Sequence, residues 1–167
     1  KSIHITLVDP ENITPAQASL VAKNSKNSGT AAIMIGGSTF VSQDHLDAVV
    51  KAIKSVVDIP TILFPNNVSG ISPHSDAIWF MSLLNSVDPY FLIGAQILGA
   101  PLIKKYNIEP ISMGYIIVGE GGTAGIIGKA IPIPIAGINQ RDTRGIALFD
   151  TFIDIEHNIE EKEIADK

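Results

Sequence analysis

The 167-residue chain contains no cysteine, and it has few aromatic residues and no long apolar run. Without cysteine there is no disulfide, no thiol nucleophile and no zinc site built on thiolates, and a reducing cytoplasm suits the chain. No apolar run approaches the roughly 20 residues of a membrane-spanning helix. Aromatic residues make up 6% and the formal charge is −5, which argues against a nucleic-acid partner. We expect a cytoplasmic protein without a transmembrane segment.

The residues that are abundant indicate a buried sheet. Hydrophobic residues make up 46% of the chain and charged residues only 17%, and short Ile and Val runs are typical of parallel strands. Periodicity and caps predict strands at 3–8, 31–35, 60–64 and 111–118, and helices at 15–25, 42–57 and 89–106. Residues 77–84 suit a buried strand or a buried helix equally. Taken as a strand, they complete an alternating order that predicts an α/β fold with a parallel sheet.

Three predicted strands end in polar or glycine-rich groups, which are typical of the active sites of α/β proteins. The first ends at Asp9, the second at the run Gly36-Gly37-Ser38, and the last in the glycine-rich loop 119–128. Backbone N–H groups of glycine loops bind phosphates, and active sites of α/β proteins lie at the carboxyl ends of strands. The alternatives are structural: a turn-forming Asp before Pro10, a helix-capping serine and glycines that only turn the chain.

The histidines show no spacing that resembles a zinc site. We expect His4 early in the first strand in a structural role. His45 is expected on a solvated helix face. The sequence therefore assigns no catalytic histidine.

The last part of the chain differs in composition. Both arginines, Arg141 and Arg144, lie there, and eight of the seventeen acidic residues fall within 142–166. Such a shift predicts a boundary. We expect residues 1–134 to form part of one α/β barrel domain and residues 135–167 to be an atypical charged segment. Within that segment, 155–167 is either a charged amphipathic helix or a frayed tail.

Six motifs, in their order along the chain, resemble the geranylgeranylglyceryl phosphate synthase family, whose bacterial relatives make heptaprenylglyceryl phosphate. The motifs, which together cover about residues 1–134, are His4–Pro10, Ala32–Thr39, Thr61–Asn67, Asp76–Ser86, Gly94–Pro101 and Gly114–Pro134. The resemblance implies a modified TIM (β/α)8 barrel in which a loop replaces the helix after strand three, with about five of the eight strands recognisable. That would explain why 65–75 lack a helical pattern, and it favours a strand for 77–84.

The resemblance also implies an activity. Members are Mg²⁺-dependent prenyltransferases of ether-lipid (phospholipid) biosynthesis that transfer a geranylgeranyl group from geranylgeranyl diphosphate to sn-glycerol 1-phosphate. Homo-oligomers are expected. For this chain, the resemblance implies that Asp9 and Ser38 bind the metal ion. It implies that the substrate phosphates are bound by Gly36, Gly37, Gly121, Gly122 and Tyr115.

Two departures from the family pattern limit this expectation. Asn12 occupies a position where the family usually has a lysine, and the later acidic-glycine and phosphate loops have no match in 135–167. The catalytic base is therefore unassigned, and we expect the 167-residue chain to be weakly active or inactive. The alternatives are a non-catalytic half-barrel that binds a phosphate or lipid, or self-associates through open sheet edges, and a phosphate-binding isomerase or aldolase.

Overall fold

A computed structural model describes residues 3–37, 39, 42–118, 122–132, 144–148 and 153–156 of the chain. These residues divide into two compact units. The first unit contains Lys1–Phe80 and Gly94–Ser112, and the second contains Met81–Ile93 and Met113–Lys167. No helix among the residues so described is long and apolar enough to cross a membrane.

Helices and strands alternate from β1 to β3 and again from β4 to β5, with no α-helix between β3 and β4, in the predicted order. The strands are β1 (Ile5–Val8), β2 (Ala32–Gly36), β3 (Thr61–Phe64), β4 (Ala77–Leu83), β5 (Glu109–Val118), β6 (Arg144–Leu148) and β7 (Ile153–Glu156). The helices are α1 (Pro15–Asn27), α2 (Gln43–Lys54), α3 (Ala95–Tyr106) and α4 (Gly122–Ile127).

In the first unit, strands β1 to β4 pair in parallel and in sequence order. Ile5 pairs with Ala32, Ile33 with Thr61, and Ile62 with Ala77. Parallel neighbours need crossover connections, and α1 and α2 provide them between β1, β2 and β3. The α/β class predicted from the alternating pattern is therefore confirmed.

Both crossover helices begin where their caps predict. The Thr14 hydroxyl accepts the Gln17 N–H, the Gln17 side chain accepts the Thr14 N–H, and Pro15 occupies the first turn. The Ser42 hydroxyl accepts the His45 N–H at the start of α2. These bonds satisfy N–H groups that a helix start otherwise leaves without partners.

The hydrophobic core of the first unit lies between its helices and its sheet. Helix α2 presents Val49, Val50 and Ile53 at helical spacing, and all three are fully buried. They cluster with Ile33 and Ile35 of β2. Strand β2 is buried along its whole length, as expected for a parallel strand covered on both faces.

The connection between β3 and β4 contains no α-helix. Its residues form only a 3-10 turn at Val68–Gly70, which agrees with the helix-to-loop replacement that the family resemblance implied. The ambiguous segment 77–84 forms strand β4 at Ala77–Leu83. Both Ile78 and Trp79 are almost completely buried, which requires cover on both faces of the strand and explains why periodicity could not decide.

The helix predicted at 89–106 has an irregular start. Residues Tyr90–Gly94 form a π-helical turn before α3 begins at Ala95. The predicted cap, Asp88, accepts the Tyr90 N–H at 2.9 Å and pairs with Lys129 at 2.7 Å. The extent of the helix was thus predicted, but its first turn was not.

Two expectations in the second unit need correction. Residues 122–127 of the predicted glycine loop form α4, and the Gly128 N–H continues the helical pattern by donating to the Ala124 carbonyl at 2.9 Å. Residues 155 and 156, expected in a helix or a tail, lie in β7, which pairs antiparallel with β6. Strand β6 itself pairs antiparallel with β5. Residues 157–167 lie outside the described residues.

Candidate functional site

Asp9 lies at the carboxyl end of β1, as predicted. The chain leaves the strand there into a 3-10 turn at Pro10–Asn12. One carboxylate oxygen of Asp9 accepts the Glu11 N–H at 3.0 Å, and the other accepts the Asn12 side-chain amide at 3.3 Å. Asp9 is therefore a turn-former, and each carboxylate oxygen still has a lone pair for another partner.

The end of β2 lies directly against the Asp9 carboxylate. A Cβ atom added to Gly37 would be 2.5 Å from one Asp9 carboxylate oxygen and 2.9 Å from the other. At Gly36 it would be 1.9 Å from the carbonyl oxygen of Phe64 on β3. Glycine at 36 thus permits the close strand approach, and glycine at 37 leaves room for the carboxylate. Their predicted role in phosphate binding stays a prediction.

The donor groups at these two strand ends suit Mg²⁺. This ion prefers hard oxygen ligands and usually takes only one or two carboxylates from protein, with water and substrate phosphates completing its shell. Asp9 supplies one carboxylate at a half-exposed position. No cluster of three or more His, Cys, Asp or Glu side chains occurs in the described part of the chain. The predicted ligand Ser38 and the predicted phosphate contact Gly121 lie outside the described residues.

A second contact joins the loop after β2 to the turn after β1. The Thr39 hydroxyl donates to the Glu11 carboxylate. Asn12, at the position where the family usually has a lysine, directs its amide to Asp9. Neither contact was predicted. The bond between Thr39 and Glu11 joins residues 28 positions apart, so it leaves no periodic sequence signal.

The expectation that His45 is solvated is wrong. Its Nε2 lies 2.9 Å from the Pro10 carbonyl oxygen and 3.1 Å from the Ile13 carbonyl oxygen. His4 immediately precedes β1 and has the expected structural role, with Nδ1 2.8 Å from the Thr30 hydroxyl. No sequence pattern singled out His45, since its partners are backbone carbonyls of another element.

A cavity of about 470 Å³ opens beside α2, the β3–β4 connection and α3. Its lining residues are Gln43, Asp47, Val68, Ser69, Ile71, Pro73, Leu102 and Tyr106. The Asp47 carboxylate accepts hydrogen bonds from Gln43 at 2.9 Å and from the Ser72 hydroxyl at 2.6 Å. The cavity therefore combines a mostly apolar wall with one hydrogen-bonded carboxylate.

Tyr115 and Gly122, two further predicted substrate contacts, belong to the second unit. Burial raises the pKa of Tyr115 to about 12, so its phenol is neutral at physiological pH and can donate a hydrogen bond. Gly122 is the first residue of α4 rather than part of a loop.

The end of β5 is tied to the segment after α4. The side-chain amide of Asn85 donates to the carbonyls of Ile117 and Ile131, at 2.8 and 2.9 Å, and its oxygen accepts the Ile117 N–H at 3.1 Å. One side chain thus fixes two backbone segments within the second unit.

The fold and the strand-end residues define an α/β protein whose first strand ends in a carboxylate packed against a glycine of the next. The sequence model of the PcrB family matches residues 1–153. The chain belongs to this family, and the match extends beyond the 1–134 covered by the recognised motifs.

Named relatives agree with this membership. The chain is 50% identical over 135 residues to the geranylgeranylglyceryl phosphate synthase of Thermofilum pendens, which covers 81% of this chain and 53% of the relative. It is 52% identical over 134 residues to that of Methanothermobacter marburgensis, with 80% and 54% covered. A crystal structure of (S)-3-O-geranylgeranylglyceryl phosphate synthase from Thermoplasma acidophilum in complex with sn-glycerol-1-phosphate matches with a TM-score of 0.76 and 40% identity. The match covers 80% of this chain and 54% of the chain in that structure. The chain spans about half the length of these relatives.

Proposed function

We propose that this protein is a prenyltransferase of ether-lipid biosynthesis, a geranylgeranylglyceryl phosphate synthase. It would transfer a geranylgeranyl group from geranylgeranyl diphosphate to the free hydroxyl of sn-glycerol 1-phosphate. The observation that carries the proposal is the Asp9 carboxylate packed against Gly37 at two adjacent strand ends. The names of the relatives at about half identity support the same substrates.

In this proposal, Asp9 holds Mg²⁺ and Ser38 provides a second oxygen. The ion would neutralise the negative charge that develops on the departing diphosphate. Asp9 fits the role because its oxygens are kept in place by the Glu11 and Asn12 hydrogen bonds. Gly36 and Gly37 would allow the diphosphate to approach the backbone.

The prenyl chain needs an apolar site, and the cavity beside α2 and α3 supports one. Its wall includes Val68, Ile71 and Leu102. An alkyl chain packed against these apolar side chains is removed from water, which is favourable. We propose this cavity for part of the prenyl chain. Its Asp47 carboxylate already has hydrogen-bond partners within the protein.

The acceptor would be recognised through its phosphate. We propose Gly121, Gly122 and Tyr115 as contacts, with the neutral Tyr115 phenol as a donor. The base that accepts the glycerol proton has no candidate among these residues. The chain spans about half of its relatives, and the acceptor loops implied by the family resemblance have no sequence match in residues 135–167. We therefore expect weak transfer, or none, from the 167-residue chain.

The proposal is tested by mixing the chain with Mg²⁺, geranylgeranyl diphosphate and sn-glycerol 1-phosphate, with binding read by calorimetry and product by mass spectrometry. We expect Mg²⁺-dependent binding of the prenyl diphosphate that exceeds binding of inorganic diphosphate, and little ether product. Equal binding with and without Mg²⁺, or no binding, would contradict the proposed function. Rapid product formation would support the function and contradict the expected low activity.

A second candidate is a non-catalytic or self-associating half-barrel, and exposed apolar side chains favour it. Large hydrophobic residues that are at least half exposed occur in both units, namely Ile3, Leu20, Val87, Ile93, Ile97, Leu98, Ile126 and Ile131. Clusters of such residues commonly mark protein contacts. We propose that copies of the chain associate, which is compatible with either function. The assignment to the cytoplasm stays a prediction.

A further inference from the structure

His45 contacts the turn that carries the proposed metal ligand. It lies on α2, 36 positions after Asp9 in the chain, and its ring reaches the backbone of the turn after β1. Its Nε2 is 2.9 Å from the Pro10 carbonyl oxygen and 3.1 Å from the Ile13 carbonyl oxygen. These two carbonyls lie on either side of Glu11 and Asn12, whose N–H and amide bind Asp9.

The partners of His45 determine which ring nitrogen carries the proton. Both partners are carbonyl oxygens, which only accept hydrogen bonds. Nε2 must therefore bear a hydrogen and donate it to both oxygens, in a three-centre bond. The neutral side chain is consequently the Nε2–H tautomer, and the imidazolium form would donate in the same way.

The position of His45 is itself fixed by its helix. Ser42 caps α2 by accepting the His45 N–H at 3.2 Å, which sets the rotation of the first turn. Leu46 and Val49, one and four residues later, are buried in the core. The ring therefore extends from a rigid helix to the segment after β1, whose only regular structure is the short 3-10 turn Pro10–Asn12.

We propose that His45 is a positioning residue that fixes the Asp9 turn for metal binding. The proposal rests on the proposed function in one respect, the assignment of Mg²⁺ to Asp9. The structural part of the proposal rests on the observed contacts alone. In that part, the ring Nε2–H of His45 binds the carbonyls of Pro10 and Ile13 and thereby keeps the Glu11–Asp9 hydrogen bond in place. Partners that orient a metal ligand typically change metal affinity by 10- to 100-fold when lost.

The test compares the wild-type chain with His45→Phe and His45→Gln. Phenylalanine keeps the ring but removes the donor, and glutamine keeps an N–H at similar reach. His74→Phe, the same change at a histidine that contacts Asp47 instead, is the matched control. The rate of amide hydrogen exchange at Glu11, measured by NMR, reports whether the turn keeps its hydrogen bond. The Mn²⁺ affinity, measured by electron paramagnetic resonance, reports whether the proposed metal site is intact.

We expect His45→Phe to speed Glu11 exchange and to weaken Mn²⁺ binding by about tenfold, with recovery of both in His45→Gln and no change in His74→Phe. Unchanged Glu11 exchange in His45→Phe would overturn the inference. Faster exchange with undiminished Mn²⁺ affinity would also overturn it, because the turn would then not control the site. If the wild-type chain binds no Mn²⁺, the proposed metal site fails, and the exchange result alone decides whether His45 holds the turn.

Discussion

Adding one methyl group at Gly37 is expected to disturb the candidate site without unfolding the protein. The Cβ of an alanine would lie 2.5 Å from an Asp9 carboxylate oxygen. The carboxylate is the end of a half-exposed side chain, so it can move away at little cost to the fold. Moving it breaks its bonds to Glu11 and Asn12.

We therefore predict that Gly37→Ala folds normally but binds Mg²⁺ with geranylgeranyl diphosphate about tenfold more weakly. Isothermal titration calorimetry measures the affinity, and circular dichroism measures the fold. Ser55→Ala, which places an alanine at an exposed position at the other end of α2, is the control. Full affinity in Gly37→Ala would show that the position of the Asp9 carboxylate does not matter for binding.

Asp76 joins the end of α2 to the start of β3. Burial raises the pKa of its carboxyl, but hydrogen bonds from the Lys54 ammonium and from the Thr61 N–H and hydroxyl outweigh burial, so the pKa lies below its usual 3.8. A lowered folded-state pKa stabilises the fold above the unfolded-state pKa, and this contribution is lost as the pH falls through the folded-state pKa.

We predict that Asp76→Asn lowers the free energy of unfolding at pH 7 and that its difference from wild type shrinks below about pH 4. The side chain is 44% exposed, so solvent screens the ion pair and we expect a loss of about 1 kcal/mol or less. Urea denaturation at pH 7 and at pH 3 measures the effect. A difference that grows on acidification would contradict the assigned shift.

At the scale of elements, α1 offers a clean test of how far local sequence determines the fold. Its capping box pairs Thr14 with Gln17 in both directions. We predict that Thr14→Ala lowers the free energy of unfolding by about 1 kcal/mol, seen as a lower midpoint of thermal unfolding. Thr14→Ser keeps the hydroxyl and is expected to stay near wild type. Equal losses in the two variants would show that the cap hydrogen bond contributes nothing.

The elements also show which parts of the fold follow from sequence. Helices α1 and α2 were predicted because Thr14-Pro15 and Ser42 are local start signals. Strand β4 was not decided by its pattern, since burial of both Ile78 and Trp79 removes the alternation that marks a strand. The family resemblance, and not periodicity, favoured the strand there.

The positions of Asp9, Gly36 and Gly37 at strand ends could be predicted because each lies at the end of a recognisable strand. The contact between Asp9 and Gly37 follows from β1 and β2 being parallel neighbours, since their carboxyl ends then meet at one edge of the sheet. The His45 contact could not be predicted, because it depends on the rotation of α2 and on backbone carbonyls. No local sequence pattern indicates the rotation of the helix or the positions of those carbonyls.

At the scale of the whole molecule, exposed apolar side chains predict self-association. On α3, Ile97 is 64% and Leu98 58% exposed. We predict that the chain sediments above its monomer mass of 17.8 kDa, and that the double variant Ile97→Lys/Leu98→Lys sediments closer to it, because buried lysines oppose a contact. Asn24→Lys/Asn27→Lys adds the same charge on α1 as a control. A monomeric wild-type chain in analytical ultracentrifugation would contradict the proposal.

The central claim is that Asp9 provides the metal carboxylate for a prenyl diphosphate. The most direct test is the affinity for geranylgeranyl diphosphate, measured by calorimetry with and without Mg²⁺, in the wild-type chain and in Asp9→Asn. Asp44→Asn makes the same change at an exposed position in the first turn of α2. We predict that Mg²⁺ strengthens binding in wild type and Asp44→Asn, and that Asp9→Asn loses about tenfold or more of this gain. Full Mg²⁺-dependent affinity in Asp9→Asn would contradict the claim.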